Sequence, residues 1–357
     1  MQKARNTTHP TQGSCVAFMP KNTTQMANSN DRLFTSSEIE AYLERIGLNH
    51  EAIKPLSQSE KLRTLHLNHL LHIPFDTTSI HLPAKWWSMT NAKEKFITLD
   101  HKNQKTNPEL VSVECDDTFN NIIKERRGGY CWSLNSCFAR LLLSLGYQVS
   151  QLPARVFYHR NQDPNVTGYA WTPLCHECLM VDTESGKFVC DVGFGGGSCA
   201  YPIPFEENRE VETITPGEKF KIVKENCVNL DTSSTDQGDG YTVHRWCGKW
   251  WGPCYHFYLS PIVFKDLAAF NWYTTSHPEA HLKTRLVVSL LQKDGSRRSL
   301  TCTIDEDGKQ SETRLHTRKH VTAEDSDVVY LKPTYSELFK TLKREFGWGP
   351  SDQVYAQ

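Results

Sequence analysis

The sequence predicts an α+β protein whose first third is helical, whose middle is rich in strands and whose last third mixes both. Apolar residues recur at helical spacing as far as Leu145, whereas an alternating pattern follows Gly146 and a helical pattern returns near the end. At 357 residues and 38% hydrophobic content, two or three packed layers or small domains are expected rather than one core.

Two candidate helices open the folded part. In the first, Ser37 and Glu40 have the spacing of a capping box, and Gly47 ends the apolar periodicity. The second runs over residues 59–72, and the following Ile73-Pro74 pair ends it because proline cannot continue the hydrogen-bond ladder. Together with a third helix further along, they predict a helical bundle.

The third helix is predicted within RRGGYCWSLNSCFARLLLSL, residues 126–145, which carries an apolar face and stops at Gly146. Cys131 therefore lies at a helix N-terminus. Unpaired backbone N–H groups and the positive end of the helix dipole favour a thiolate there, and the thiolate is the nucleophilic form of cysteine. The same N–H groups could hold an oxyanion.

The remaining elements follow from alternation and turn residues. Strands are expected at 148–158, 178–181, 187–192, 241–251, 254–259, 285–291 and 299–304. A closing helix is expected at 336–346. Turns are expected at Gly186, Gly252-Pro253 and Asp294-Gly295. Residues 1–30 read as a disordered extension, with a transit peptide as the alternative, and 83–118 as an irregular loop or insertion.

Charge and cysteine content narrow the class of function. Forty Lys and Arg against 41 Asp and Glu give a net charge of −1 without a long basic run, so neither nucleic acid nor a membrane surface is the expected partner. The twelve cysteines are spread along the chain, and no segment of signal-peptide or membrane-span type is visible. A cytoplasmic protein with reduced thiols and a small-molecule ligand is expected.

A reactive cysteine needs a base, and the base needs a group that orients it. His176 follows Cys131 by 45 residues, and Asp191 lies 15 residues further, across a predicted hairpin. If Asp182 pairs with Lys187, Asp191 becomes the diagonal neighbour of His176 on one face, with backbones about 7–8 Å apart. A slip of one residue would send the two side chains to opposite faces.

Two features near this hairpin allow other interpretations. The glycine-rich run over residues 191–197 would let a ligand approach the backbone. Cys175, Cys178 and Cys190 could instead serve as zinc ligands in a binding module, although a metal-bound His176 would no longer be a base. Taken alone, each of these residues could also be purely structural.

These motifs together resemble the arylamine N-acetyltransferase family. The resemblance covers residues from about 35 to 300, and it rests on RGGYC at 127–131 with Asn135, His176, Asp191 and DVGFG at 191–195, on IEAYLERIG at 39–47, on IPFD at 73–76 and on NWYTTSHP at 271–278. It implies a helical bundle, a β-barrel and an α/β lid around a core like that of cysteine proteases. The implied limits are 31–148, 149–262 and 263–357.

The resemblance also implies roles for individual residues. Cys131 would be the nucleophile acylated by an acyl-CoA thioester, His176 its proton partner and Asp191 the group that orients His176. Phe194 would line the acceptor pocket. The residues implied near the coenzyme are Thr172, Gly193 and Tyr273.

The implied reaction moves an acyl group from acetyl-CoA, or from propionyl- or malonyl-CoA, to an aromatic amine or hydrazine with ping-pong kinetics and no metal. Ser133, after the bulky Trp132, departs from the Gln or Glu common in the family, and Glu279 departs from a small hydroxyl residue. A cysteine hydrolase of the papain or transglutaminase type would use the same three residues and is the rival function. Nothing in the sequence indicates an oligomeric state.

Overall fold

The computed structural model of the chain describes residues 32–83, 85–86, 97, 99, 111–159, 162–227, 240–304, 309–320 and 324–349. The predicted extension over residues 1–30 and most of the predicted loop over 83–118 lie outside the described residues. The architecture is mixed α+β, as predicted, and combines a helical layer, a nearly closed β-barrel and a second sheet.

The helices of the described residues lie at Ser36–Arg45 (α1), His50–Ile53 (α2), Gln58–His72 (α3), Thr78–His81 (α4), Cys115–Phe119 (α5), Cys131–Ser144 (α6), Pro164–Thr167 (α7), Phe264–Ser276 (α8) and Tyr335–Phe346 (α9). The strands lie at Phe75–Asp76 (β1), Gln148–Phe157 (β2), Trp171–Thr183 (β3), Gly186–Cys190 (β4), Ile203–Pro204 (β5), Val211–Glu212 (β6), Lys219–Glu225 (β7), Gly240–Trp246 (β8), Trp251–Phe257 (β9), Arg285–Leu291 (β10), Arg297–Thr303 (β11), Thr313–Arg318 (β12) and Ser326–Leu331 (β13).

The helical layer starts with α1, whose capping residues differ from the prediction. Thr35 is the N-cap, and Glu38 completes the capping box, so the predicted pair Ser37 and Glu40 was wrong by two residues. The helix α3 begins after Ser57 and ends before Ile73, close to the predicted limits. These helices and α6 pack their apolar faces into one core.

Five of the described helices, α2, α4, α5, α7 and α8, have no counterpart among the sequence predictions. The helix α5 begins near the end of the stretch 83–118, which was expected to be irregular. It continues into a π-helical turn over Asn120–Lys124, just after that stretch. The helix α8 carries Asn271 and Thr274, and it packs beside α6 through contacts described below. Four of the five have only four or five residues, which is too short for a helical apolar period to show.

The barrel is an antiparallel sheet with the strand order β5-β4-β3-β2-β9-β8-β7-β6. Its two ends approach each other where Glu207 bridges to Ile222. The turn predicted at Gly252-Pro253 was wrong. The chain turns earlier, between Trp246 and Trp251, and Gly252 and Pro253 lie inside β9. A bulge at Cys254, opposite Val243 and His244 of β8, lets β9 accommodate Pro253, which cannot donate to the ladder.

The third layer is an antiparallel sheet in the order β1-β10-β11-β12-β13, against which α9 packs. The predicted strand at 285–291 and the turn at Asp294-Gly295 are confirmed. Trp348, just after α9, is fully buried, and its Nε1 donates to Asp76 Oδ2 at 2.7 Å. The segment after α9 is thus bound to β1, the edge strand of the same sheet. Within the described residues, every helix is too short or too polar to cross a lipid bilayer.

Candidate active site

Cys131 is the first residue of α6, as the sequence predicted, and Tyr130 is the N-cap. The segment just before Cys131 packs closely against Pro74, and there is no room for a side chain at Gly128, because a Cβ there would collide with the carbonyl oxygen of Pro74. A Cβ at Gly193 would lie 2.6 Å from the Cα of Cys131. The glycines therefore bring backbone from two other segments against the head of α6.

The capping of α6 explains the unusual Ser133. Its Oγ accepts a hydrogen bond from the backbone N–H of Tyr130 at 3.1 Å and donates to the Tyr130 carbonyl at 3.0 Å. An acidic or amide side chain at this third helical position often closes the cap in the same way. Serine therefore keeps the capping hydrogen bond, although it departs from the family pattern.

The helix N-terminus, which the sequence predicted to favour a thiolate at Cys131, is opposed by burial. Burial raises the pKa of the Cys131 thiol well above its ordinary value, and the nearby Cys175, Glu177 and Asp191 raise it further. The backbone N–H of Trp132 lowers the pKa of Cys131, but by less. The thiol is 4% exposed, so the loss of hydration outweighs the helix end.

The hairpin register that the sequence suggested is confirmed. Asp182 pairs with Lys187, and pairing continues as far as Leu179 opposite Cys190. This register places His176 and Asp191 on one face, and His176 Nε2 lies 2.8 Å from Asp191 Oδ2. Both side chains are almost fully buried.

The other carboxylate oxygen of Asp191 is also bound. Asn135 Nδ2 donates to Oδ1 at 2.9 Å, and the backbone N–H of Gly193 donates to the same oxygen at 2.9 Å. Asn135 lies one helical turn after Cys131 and also accepts the Val192 N–H on its Oδ1 at 2.9 Å. The carboxylate is therefore held on both oxygens.

Aromatic rings surround the imidazole of His176. The centroid of Phe194 lies 5.2 Å from the imidazole centroid, and that of Tyr255 lies 4.9 Å away. Sequence reasoning selected Phe194 but missed Tyr255, whose strand β9 is far along the chain. The rings exclude water from one side of the imidazole.

Cys131 and His176 open into one cavity. Thr172, Gly193 and Phe194, three of the residues predicted to touch ligands, also line it. Tyr273 is absent from the described lining residues, and its ring stacks on His277 with centroids 4.6 Å apart. The hydroxyl of Thr172 is already engaged, since it accepts the N–H of Val156 at 2.8 Å. The cavity also has walls that the sequence did not indicate, namely Phe75, Phe157, Tyr158, Thr274, His281 and Leu282.

The helix α8 is tied to the head of α6 by side chains. The Tyr130 hydroxyl donates to Asn271 Oδ1 at 2.5 Å, and Trp132 Nε1 donates to Thr274 Oγ1 at 3.0 Å. Trp132 also stacks on Phe270. Since Thr274 lines the cavity, the bulky residue after Cys131 supports a cavity wall.

The zinc alternative receives no support from the described residues. No three His, Cys, Asp or Glu side chains among them are grouped as metal ligands. Cys178 and Cys190 are buried free thiols, and Cys175 lines the cavity as a partly exposed one. Because Cys175 and His176 are neighbours on a strand, they cannot both point at one ion from the same face.

Comparison with known proteins places this site in a family. A family model described as N-acetyltransferase matches residues 59–331. The arylamine N-acetyltransferase of Escherichia coli strain K12 is 27% identical over 296 residues, which cover 82% of this chain and 83% of that protein.

Two solved structures share the fold. The arylamine N-acetyltransferase from Salmonella typhimurium superposes with a TM-score of 0.63 at 23% identity, over 90% of this chain and 95% of that chain. That of Mycobacterium marinum, solved in complex with CoA, gives a TM-score of 0.62 at 21% identity, over 87% and 92%. Because the family model spans most of the sequence, this chain belongs to the arylamine N-acetyltransferase family.

Proposed function

We propose that this acetyltransferase carries the acyl group as a thioester on Cys131 between an acyl-CoA donor and an aromatic amine or hydrazine. Family membership supports acyl transfer. The observation that carries the mechanism is the 2.8 Å contact between His176 Nε2 and Asp191 Oδ2, at a cavity that Cys131 also lines. A thiol, an imidazole and a carboxylate in this order form a general template for covalent acyl transfer.

The contact with Asp191 sets the direction of proton transfer. An ionised carboxylate only accepts hydrogen bonds, so Nε2 of His176 carries the proton and Nδ1 is left to act as the base. Because burial raises the pKa of the Cys131 thiol, its proton leaves for Nδ1 of His176 as the sulfur attacks the thioester carbonyl. The imidazolium that forms is stabilised by Asp191.

The two half-reactions then balance. In the first, the new carbon–sulfur bond forms on Cys131, the bond to the CoA sulfur breaks, and the CoA thiol leaves with the proton from His176. In the second, the amine nitrogen attacks the Cys131 thioester, His176 accepts a proton from nitrogen, and Cys131 regains it as the amide leaves. Both half-reactions start from a thioester, and the exchange is ping-pong.

For the ligands, we propose that the acyl-CoA thioester enters beside Thr172 and Gly193 and that the acceptor ring packs on Phe194. The lining of the cavity supports these three positions, and the CoA complex of the Mycobacterium marinum relative supports a CoA donor. Tyr273 is assigned only to the outer part of the coenzyme site. A reducing compartment such as the cytoplasm is proposed, because Cys131 must be a free thiol to be acylated.

The test is acylation without an acceptor. Mixing acetyl-CoA with the protein should release one equivalent of CoA thiol in a burst and add one acetyl group to Cys131, detected by mass spectrometry of peptides. Cys131→Ala should abolish both. Cys137→Ala is the matched control. Cys137 lies on the same helix but points into the core, so this variant should leave the burst intact.

The same assay decides between donors and between functions. Propionyl-CoA and malonyl-CoA in place of acetyl-CoA give the donor preference from the burst rates. A cysteine hydrolase would cleave peptides and would not hold the acetyl group until an arylamine is added. A burst that persists in Cys131→Ala would overturn the proposed mechanism.

A further inference from the structure

Strand pairing stops just before Asp191. The strand β4 ends at Cys190, opposite Leu179, and the chain then bends towards the head of α6. Side chains bind the next four backbone N–H groups: those of residues 191, 192, 193 and 194 donate to His66 Nε2 (3.2 Å), Asn135 Oδ1 (2.9 Å), Asp191 Oδ1 (2.9 Å) and Ser198 Oγ (3.1 Å). The position of Asp191 thus depends on side chains from outside the hairpin.

The first of these side chains, His66, comes from the middle of α3 and is fully buried. Its Nδ1 lies 3.2 Å from the carbonyl oxygen of Ala200, and its Nε2 lies 3.2 Å from the backbone nitrogen of Asp191. A carbonyl oxygen can only accept, so Nδ1 carries the proton. A backbone N–H can only donate, so Nε2 offers a lone pair. Both contacts are satisfied by one neutral tautomer.

The surroundings of His66 favour this neutral form. The pKa of His66 is lowered to about 4, mainly by burial and also by Arg63, against the opposing effects of the Ala200 carbonyl and Asp191. The edge of the ring also packs against Phe138, with centroids 5.9 Å apart. The imidazole is therefore uncharged at neutral pH and held in place on several sides.

We propose that His66 is a positioning residue for acyl transfer, and that its neutral Nδ1–H tautomer holds the main chain of Asp191 where the carboxylate meets His176. This inference rests on the proposed Cys131, His176 and Asp191 mechanism. Asn135 and the Gly193 N–H fix the rotation of the carboxylate, whereas His66 fixes the backbone that carries it. Without that acceptor, a buried N–H would lose its partner and the segment would shift to recover one.

Two substitutions separate the two ring nitrogens. In His66→Gln, the terminal amide reaches about as far as Nε2, so its oxygen can still accept the Asp191 N–H. In His66→Asn, the shorter amide reaches about as far as Nδ1, and it can donate to Ala200 but not accept from Asp191. Each variant loses one hydrogen bond of the pair. His69→Gln is the control, because His69 lies on the same helix, is fully buried and bonds Tyr42.

Activity is measured as the single-turnover rate of CoA release from acetyl-CoA, and the state of the thiol as the pH profile of Cys131 alkylation by iodoacetamide. His66→Asn should acylate about ten- to a hundredfold more slowly than His66→Gln, as small displacements of catalytic groups do elsewhere, and its alkylation profile should shift. His69→Gln should lose stability while keeping the wild-type profile. Equal rates in the two His66 variants would overturn the proposal.

A second measurement uses the wild-type protein, so it does not depend on the folding of a variant or on an activity assay. In protein with ¹⁵N-labelled histidines, the His66 ring should show a protonated Nδ1 and an unprotonated Nε2, unchanged from pH 8 to pH 6. A ring protonated on Nε2 would overturn the inference even if Cys131 is acylated as proposed. Conversely, a correct tautomer with no acylation of Cys131 would reject the proposed function alone.

Discussion

Asn135 Nδ2 lies 2.9 Å from Asp191 Oδ1, on the carboxylate oxygen opposite the one that contacts His176. The residue that follows the predicted nucleophile by one helical turn therefore binds the predicted orienting group directly. Its amide also donates to the Glu177 carbonyl at 2.8 Å and accepts the Val192 N–H. One side chain on α6 thus connects the nucleophile helix to β3 and to the segment that follows β4.

Replacing Asn135 by alanine should harm both rate and stability, because three buried hydrogen bonds are lost together. We expect kcat/KM for acetyl-CoA to fall about ten- to a hundredfold and the free energy of unfolding in urea to fall by about 2–4 kcal/mol. Asn68→Ala is the matched control, since Asn68 donates only to the Thr64 carbonyl within α3. An unchanged kcat/KM in Asn135→Ala would contradict the positioning role.

The carboxylate of Asp191 is expected to matter through its charge and its acceptor capacity. In Asp191→Asn, an amide N–H can face His176 Nε2 in place of the carboxylate oxygen. This favours the tautomer with the proton on Nδ1, which can no longer act as the base. Acyl transfer should fall by about two to four orders of magnitude, measured as CoA release from acetyl-CoA in the presence of an arylamine.

The chain offers a matched control for this substitution. His244 Nε2 lies 2.8 Å from Glu225 Oε1 in a second histidine–carboxylate pair, on β7 and β8. Glu225→Gln makes the same chemical change there and should leave the rate nearly unchanged. Equal losses in the two variants would mean that the loss reflects general damage to the barrel.

Acid should weaken the fold through its buried histidines. Burial lowers the pKa values of His66 and His81 to about 4 each, against 6.5 for an exposed imidazole. Between these pH values the unfolded chain binds protons that the native protein does not, so stability present above pH 6.5 is lost as pH falls towards 4. Each group should contribute about 2–3 kcal/mol to this loss.

Urea unfolding at a series of pH values between 7.5 and 4.5 measures the effect. His81 Nε2 donates to the Arg285 carbonyl oxygen, 2.8 Å away, and His81→Gln should flatten the pH dependence while lowering the stability at neutral pH. A free energy of unfolding that stays constant from pH 6.5 to pH 5 would contradict the prediction.

Trp348 should be important for stability although it lies near the end of the chain. Its Nε1 donates to the buried carboxylate of Asp76, and the Arg127 guanidinium lies 5.4 Å from the ring centroid. Trp348→Phe leaves that carboxylate short of a donor and should cost about 1.5–3 kcal/mol in urea unfolding. The half-exposed Trp272 provides the control, and Trp272→Phe should cost far less. The prediction fails if both variants unfold at the same urea concentration.

Several parts of the fold could be predicted because their causes are local. The limits of α3 follow from a capping residue and a proline, and the register of the β3–β4 hairpin follows from its short turn. Where a local signal was ambiguous, the prediction missed. The turn placed at Gly252-Pro253 overlooked that a bulge next to Pro253, on β9 itself, allows proline inside a sheet. The helix α8 was missed because its docking to Tyr130 and Trp132 involves residues about 140 positions earlier.

The fold class was readable from caps, turns and strand alternation, which act over a few positions, and the same local pairing predicted that His176 and Asp191 are neighbours. The family was readable from motifs that resemble it. The raised pKa of Cys131 and the hydrogen bonds that support Asp191 were not readable in this way. The first is decided by burial, which outweighs the helix end and depends on how the layers pack. The second depends on His66, 125 positions away, whose ring meets Asp191 only because α3 packs against the end of the hairpin.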